Sequence, residues 1–163
     1  MEANSVLDFF LALPADWIII SSFALVLLID ALRVGSSRIS TLAIAALLSL
    51  LIESAVTSAA FLGPVVAQLS TPVLQAAFFG ILFVLTYILI RRVFIDYGEL
   101  HGQPLQAIFA AIAVTIIIVV VWLQVPALDA VWHFGDQVRA VFSEAFRFWW
   151  LLVSLAALAF AKA

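Results

Sequence analysis

Hydrophobic residues run along this chain in long blocks, separated by short joints that hold most of the polar residues. Four blocks, residues 17–32, 39–62, 73–90 and 105–123, are close to the roughly 20 apolar residues a helix needs to cross a bilayer. Prolines and glycines agree with this division. Pro14, Pro64, Pro72, Pro104 and Pro126 all fall between blocks, as do Gly35, Gly63, Gly98, Gly102 and Gly135; Gly80 alone lies inside one. These two residue types are the strongest local punctuation a sequence offers. The block 105–123 contains Ile-Ile-Ile-Val-Val-Val and is apolar all round, which at this length reads as a membrane helix.

The last third has a mixed pattern. Val138, Val141, Phe142, Ala145, Trp149 and Leu152 follow a helical repeat, with Arg139, Ser143 and Arg147 on the other side. From Phe148 to Phe160 the sequence is continuously apolar. The reading is a fifth, C-terminal membrane helix over 146–162, entered through an amphipathic lead-in, with Arg147 and Lys162 snorkelling from its ends. The alternative is a helix lying in the membrane interface. At the other end, Val6 to Leu13 is a short apolar patch stopped by Pro14, read as an interfacial turn of helix. Glu2 and Asp8 stand where a signal peptide carries basic residues, so the first span is expected to stay in the mature protein. The predicted fold is all-α: a polytopic helical membrane protein with four transmembrane helices plus a fifth C-terminal membrane helix, forming a single integral membrane domain over 1–163.

Composition supports that class. Hydrophobic residues make up 67% of the chain and charged ones 10%, where a soluble domain has about 45–50% and about 25%. The chain has no cysteine, which excludes disulfides and thiolate metal sites. Its seven basic residues lie in small groups near span ends, so no basic stripe for nucleic acid is present. Arg33 and Arg38 occupy the first connection, and Arg91 and Arg92 close the third span. The N-terminal tail and the connection between spans two and three have none. The positive-inside rule then places the N-terminus outside and both basic connections in the cytoplasm. Arg139 and Arg147 run against it.

Candidate chemistry is sparse. Asp16 is placed to cap the first span through its carboxylate, and Trp17 sits where an interfacial aromatic belongs. Asp30 and Arg33 are three apart, neighbours on one helix face and a snorkelling surface pair. Ala76 and Gly80 form a small-xxx-small pair that lets a neighbouring backbone approach. His101 and His133 are predicted on opposite sides of the membrane, which disfavours a shared metal site. Asp96 and Glu99 read as loop solubility. No catalytic motif stands up, and no metal or other cofactor is expected.

The stretch 39–62 is the one around which the other spans are expected to pack, because it carries Glu53 deep inside. An intramembrane ionisable residue is expensive and usually faces a bundle interior. Ala46, Ser49, Glu53, Thr57 and Ala60 share one small or polar face; Ile44, Leu48, Leu51, Ala55 and Leu62 make the opposite, mostly larger one. Counting from Ile39, Glu53 lies roughly 21 Å into the span at ~1.5 Å per residue. No Lys or Arg of the first four spans reaches that level. The expectation is a hydrogen-bonded carboxyl, with Thr115 of span four or a serine of span one (Ser21 or Ser22) as partner. It either glues helices or binds or relays a proton or cation.

The chain resembles the colicin V production protein family (CvpA), small bacterial inner-membrane proteins. The likeness lies in Asp16-Trp17-Ile18-Ile19-Ile20, in Arg33-Val34-Gly35 with Arg38 following, and in Arg91-Arg92, over about residues 16–123. Family members usually show Gly-x-x-Arg-Gly followed closely by Arg-Glu. Here Asp30 takes the place of the first glycine, the second glycine comes one residue late, and no acid follows Arg38. The apolar tail also departs from the family's polar one. The resemblance implies a non-enzymatic inner-membrane (plasma membrane) protein linked to toxin biosynthesis, export and envelope function. Its partners would be the lipid bilayer and a membrane protein or further copies of itself. A small transport or channel component using Glu53 is the alternative.

Overall fold

The computed structural model describes residues 14–56, 68–69, 71–93 and 104–162. Among these residues there is no strand, and they form seven helices. They are α1 (Ala15–Val34), α2 (Ser36–Val56), α3 (Pro72–Val93), α4 (Pro104–Gln124), α5 (Pro126–Val131), α6 (Asp136–Val141) and α7 (Glu144–Lys162). Five of them, α1 to α4 and α7, are long and apolar enough to cross a membrane. The protein is an all-α helical membrane protein. The interfacial patch at Val6–Leu13, the loop residues Asp96, Glu99 and His101, and the end of the second span from Thr57 to Leu62 lie outside the described residues.

The helix at the centre is α4, not the Glu53-bearing α2. α4 packs against α1, α2, α5 and α7, and from Ala113 to Val125 it has no exposed residue. Its sequence explains this. It carries no charge and has the highest mean hydropathy of the five spans. A helix that is apolar all round is one that can be buried all round. Ala107, Ala110, Ala111 and Ala113 then keep its surface thin in the first half, where Leu27 and Ala31 of α1, Ile39, Ala43 and Ala46 of α2, and Leu158 and Ala161 of α7 close around it.

α1 and α2 form a tight hairpin. Gly35 has φ +101°, a left-handed conformation that glycine adopts without a Cβ clash, and its N–H donates to Ala31 O at 3.0 Å. The reversal brings the first turn of α2 back over the last of α1. Arg38 therefore pairs with Asp30 at 3.3 Å. The expected Asp30–Arg33 pair is not formed; Arg33 is exposed at the end of α1. α3 returns alongside α2 and turns Phe79, Thr86 and Ile90 inward. Ala76 packs on the core, but a Cβ on Gly80 would meet nothing within 4 Å. That glycine seats no backbone among the described residues.

The C-terminal helix resolves in favour of a long apolar helix packed lengthwise on the bundle. α7 has nineteen residues, about 28 Å at ~1.5 Å each, close to the roughly 30 Å of a hydrocarbon core. Its Trp150 and Leu151 join the cluster of Val119 and Val120 near the end of α4, while Leu158 and Ala161 join the alanines of its start. The two helices are thus antiparallel. The amphipathic lead-in is not one continuous helix: α6 ends at Val141 and α7 begins at Glu144. Of the apolar face read from the sequence, Val138 and Phe142 are buried, whereas Val141, Ala145, Trp149 and Leu152 are exposed. α7 turns a different stripe inward, made of Arg147, Trp150, Leu151, Ser154, Leu158 and Ala161. Lipid tails are as apolar as leucine, so apolarity alone does not choose the inward face; Ser154 and Ala161 on it allow close packing.

Ser154 is the exception to tidy polar bookkeeping. It is buried, and its Oγ has no hydrogen-bond partner. A buried hydroxyl left unpaired costs about 1–3 kcal/mol. Ser154→Ala is therefore expected to leave stability unchanged or raise it by up to that amount. Ser154→Leu must force α7 off α4 and is expected to cost about 1–3 kcal/mol. Thermal unfolding of the purified protein in detergent measures both.

Candidate functional site

On α2 the buried residues Ile39, Ala43, Ala46, Ser49 and Val56 mark the side that faces the bundle. Glu53 is four residues after Ser49 and three before Val56, spacings that keep it on that same side. The large residues Ile44, Leu48 and Leu51 are exposed opposite. The two faces read from the sequence are present as far as Val56, and Glu53 lies on the inward one, half-buried. Thr57, its neighbour on that face, lies outside the described residues.

The partners expected for Glu53 are otherwise engaged. Thr115 is buried and donates to Ala111 O of its own helix at 2.8 Å. Ser49 donates to Ala45 O at 2.6 Å and Thr86 to Leu82 O at 2.7 Å. Ser21 and Ser22 are exposed on the outward side of α1. A bond to the carbonyl four residues back needs no ordering of a second helix, so it wins over a cross-helix bond. No hydrogen bond or ion pair to the Glu53 carboxyl forms among the described residues. The structure does not bring Glu53, Thr115, Asp30 and Arg33 into one constellation. No group of three metal-ligating side chains occurs among the described residues, and His133 is exposed.

The best-connected polar structure is elsewhere, over one end of the bundle. Residues 125–143, holding α5 and α6, fold across the end of α4 and the start of α1. Val138, Phe134 and Phe142 pack on Val119 and Val120. Arg139 donates from one nitrogen, Nη2, to both carboxylate oxygens of Asp129 at 2.7 and 2.9 Å, and from Nε to Phe134 O at 2.9 Å. Trp122 donates to Trp132 O at 3.2 Å, and Trp150 to Val141 O at 2.9 Å. Trp17 donates to Gln137 Oε1 at 3.3 Å. Asp16 does not cap α1, which begins at Ala15 behind Pro14. Its Oδ2 instead accepts the N–H of Gly135 at 2.6 Å, at the residue preceding α6. A carboxylate there also faces the positive end of a helix dipole.

The sequence reading noticed Asp16, Trp17 and Arg139 but not what they join. Asp129 and Arg139 are ten residues apart with the Gly135 break between them, and only that break hinted that they fold back on one another. Arg139 and Arg147 are the two bases that ran against the orientation. Arg139 is matched by Asp129, and Arg147 lies 3.8 Å from Glu144. Arg33, Arg38, Arg91 and Arg92 stand at the tips of α1, α2 and α3.

The docking of α1 on the cap can be probed at Gly135. A Cβ there would come within 2.9 Å of Asp16 Oδ2, so alanine must push the carboxylate away. Gly135→Ala is expected to destabilise the wild-type protein by about 1 kcal/mol, the usual worth of one such bond. In an Asp16→Ala background the same change should cost little. A double-mutant cycle read by thermal melts gives the coupling.

No known protein family matches the chain, and neither a curated protein nor a solved structure is similar enough to it to match.

Proposed function

We propose that this is a non-enzymatic bacterial inner-membrane protein that works by lateral association within the bilayer, with Glu53 as the point of contact. The observation that carries the reading is the state of its carboxyl. Glu53 lies toward the bundle side of α2 but is only half-buried, which leaves its carboxyl open to a helix outside the bundle, and no donor or cation stands against it among the described residues. The buried hydroxyls of α2, α3 and α4 have their donors committed to their own helices. A polar group in hydrocarbon is strongly driven to find a partner. A helix of a second membrane protein, or of another copy, can supply the donor. The envelope and export role implied by the colicin V production family fits such a protein, and that likeness rests on the residues quoted above.

Transport through Glu53 is the second reading, and the same unpartnered carboxyl supports it. It lacks a polar route. The centre of the bundle is α4, whose buried side chains are alanine, valine and isoleucine apart from Thr115. Introducing a photo-crosslinker at Ile52 beside Glu53 separates the two readings. Association predicts a discrete cross-linked product in native membranes that Glu53→Ala removes and Glu53→Gln keeps, because an amide also donates and accepts. Transport predicts proton or cation flux in liposomes that Glu53→Gln abolishes. Cross-links indifferent to Glu53→Ala would end the first reading.

We also infer that the cap lies outside and the Arg33, Arg38, Arg91 and Arg92 tips in the cytoplasm, with the N-terminus outside. The chain has no cysteine, so single cysteines report cleanly. An impermeant thiol reagent is expected to label Glu144→Cys in cells whose outer barrier alone is opened, and Ser37→Cys only after lysis. The reverse pattern would invert the topology.

A further inference from the structure

All five tryptophans of the chain stand at the capped end of the bundle: Trp17 opens α1, Trp122 nears the end of α4, Trp132 follows α5, and Trp149 and Trp150 lie in the second turn of α7. They divide into two kinds. Trp17, Trp122 and Trp150 are half-buried, and their indole N–H groups donate to the cap. Trp132 and Trp149 are exposed, and among the described residues their N–H groups donate to nothing. Trp132 stands beside Val131, and the two are 46% and 52% exposed. Among the described residues, Val131, Trp132 and Val141 are the exposed large hydrophobic residues that lie outside the five long helices.

The Val131–Trp132 tip is held rigidly. The N–H of Trp132 donates to Leu128 O at 3.0 Å, and its carbonyl accepts from Trp122 at 3.2 Å. Its backbone is therefore fixed to α5 on one side and to α4 on the other, while the residue stays exposed. Beside it, His133, Asp136 and Gln137 are exposed polar residues. Phe146, Phe148 and Trp149 are exposed at the start of α7.

We propose that the Val131–Trp132 tip is a membrane-surface anchor, seated in the glycerol and headgroup layer of the leaflet at the capped end. The cap then rests on the bilayer instead of standing in water. An exposed apolar pair beside polar neighbours, with a free indole donor, matches a layer whose ester and phosphate oxygens accept hydrogen bonds above a hydrocarbon floor. Elements at that boundary sink roughly 5–10 Å into it. The exposed faces of α7 continue from Trp149 into the hydrocarbon, so the tip and the span end form one collar. Charge sets the lipid class. The cap holds Asp129 and Asp136 against Arg139, with Glu144 beyond, and no basic cluster that would select anionic lipid. A zwitterionic phosphatidylcholine surface is sufficient.

The test places a nitroxide on Val131→Cys in the otherwise cysteine-free protein, reconstituted in phosphatidylcholine vesicles. Collisions with oxygen, which prefers lipid, are compared with collisions with a water-soluble nickel complex. The Val131 label is expected to favour oxygen several-fold over a label on Glu144→Cys, whose side chain is 90% exposed. Equal access of nickel to both labels would overturn the proposal. So would spin–spin broadening at residue 131 that vanishes on dilution with unlabelled protein, since a second copy would then cover the tip. A further measurement leaves Val131 intact: lipids brominated near the glycerol should quench wild-type fluorescence more than that of Trp132→Phe. Identical quenching would show that Trp132 does not meet lipid.

Discussion

Everything in this bundle depends on how closely other helices can approach α4. Water drives soluble helices together by expelling apolar surface, but hydrocarbon supplies no such force. What remains is contact between atoms, and contact improves as backbones come nearer. Ala107, Ala110, Ala111 and Ala113 remove the side-chain bulk that would hold α1, α2 and α7 away, and those helices answer with Ala31, Ala43, Ala46 and Ala161. The large residues, displaced from this seam, face outward: Leu25 and Val26 on α1, Leu51 on α2, Leu85 and Leu89 on α3, Phe160 on α7. Along this seam the arrangement of a soluble bundle is inverted, with alanine within and bulk outside, while Leu27, Ile39, Phe79 and Ile117 fill the core around it.

The bilayer as solvent also bears on what could and could not be read in the chain. Block length, proline and glycine pointed to long apolar helices, and five helices long and apolar enough to cross a membrane are present, because length and punctuation do not depend on which solvent surrounds the helix. The inward side of α2 was legible too, since its small and polar residues are set apart from its large ones. α7 was read with the wrong face inward. The stripe of Ala145, Trp149 and Leu152 is exposed, and the one turned inward, with Trp150, Leu151 and Leu158, is just as bulky, so apolar periodicity did not tell the two faces apart. The centrality of α4 was hidden by its uniformity: a helix without a polar face gives no direction to read.

For the polar residues, the difficulty was range. A hydroxyl in a helix always has a carbonyl four residues behind it, and Ser49, Thr86 and Thr115 all take that nearby acceptor. Sequence pattern offered Thr115 to Glu53 on the strength of matching depth, and local geometry withdrew it. Asp30 changed partner for a similar reason. The turn at Gly35 brings Arg38 to it, and no rule of helix spacing reaches across a turn. Asp129 and Arg139, on two short helices with a break between them, lay beyond any periodic argument.

The bond between Asp16 and Gly135 also sets an order in time. The two residues are 119 positions apart, as Trp17 and Gln137 are 120. At about 5–20 residues per second of synthesis, α1 emerges roughly 6–24 seconds before the cap that will hold its first turn. During that interval its first turn lacks the hydrogen bonds of the cap, and the α1–α2 hairpin is held by the turn at Gly35 and the Asp30–Arg38 pair at the opposite end. α1 is thus fastened at this end late, after α2, α3 and α4 are laid down and with only α7 still to follow.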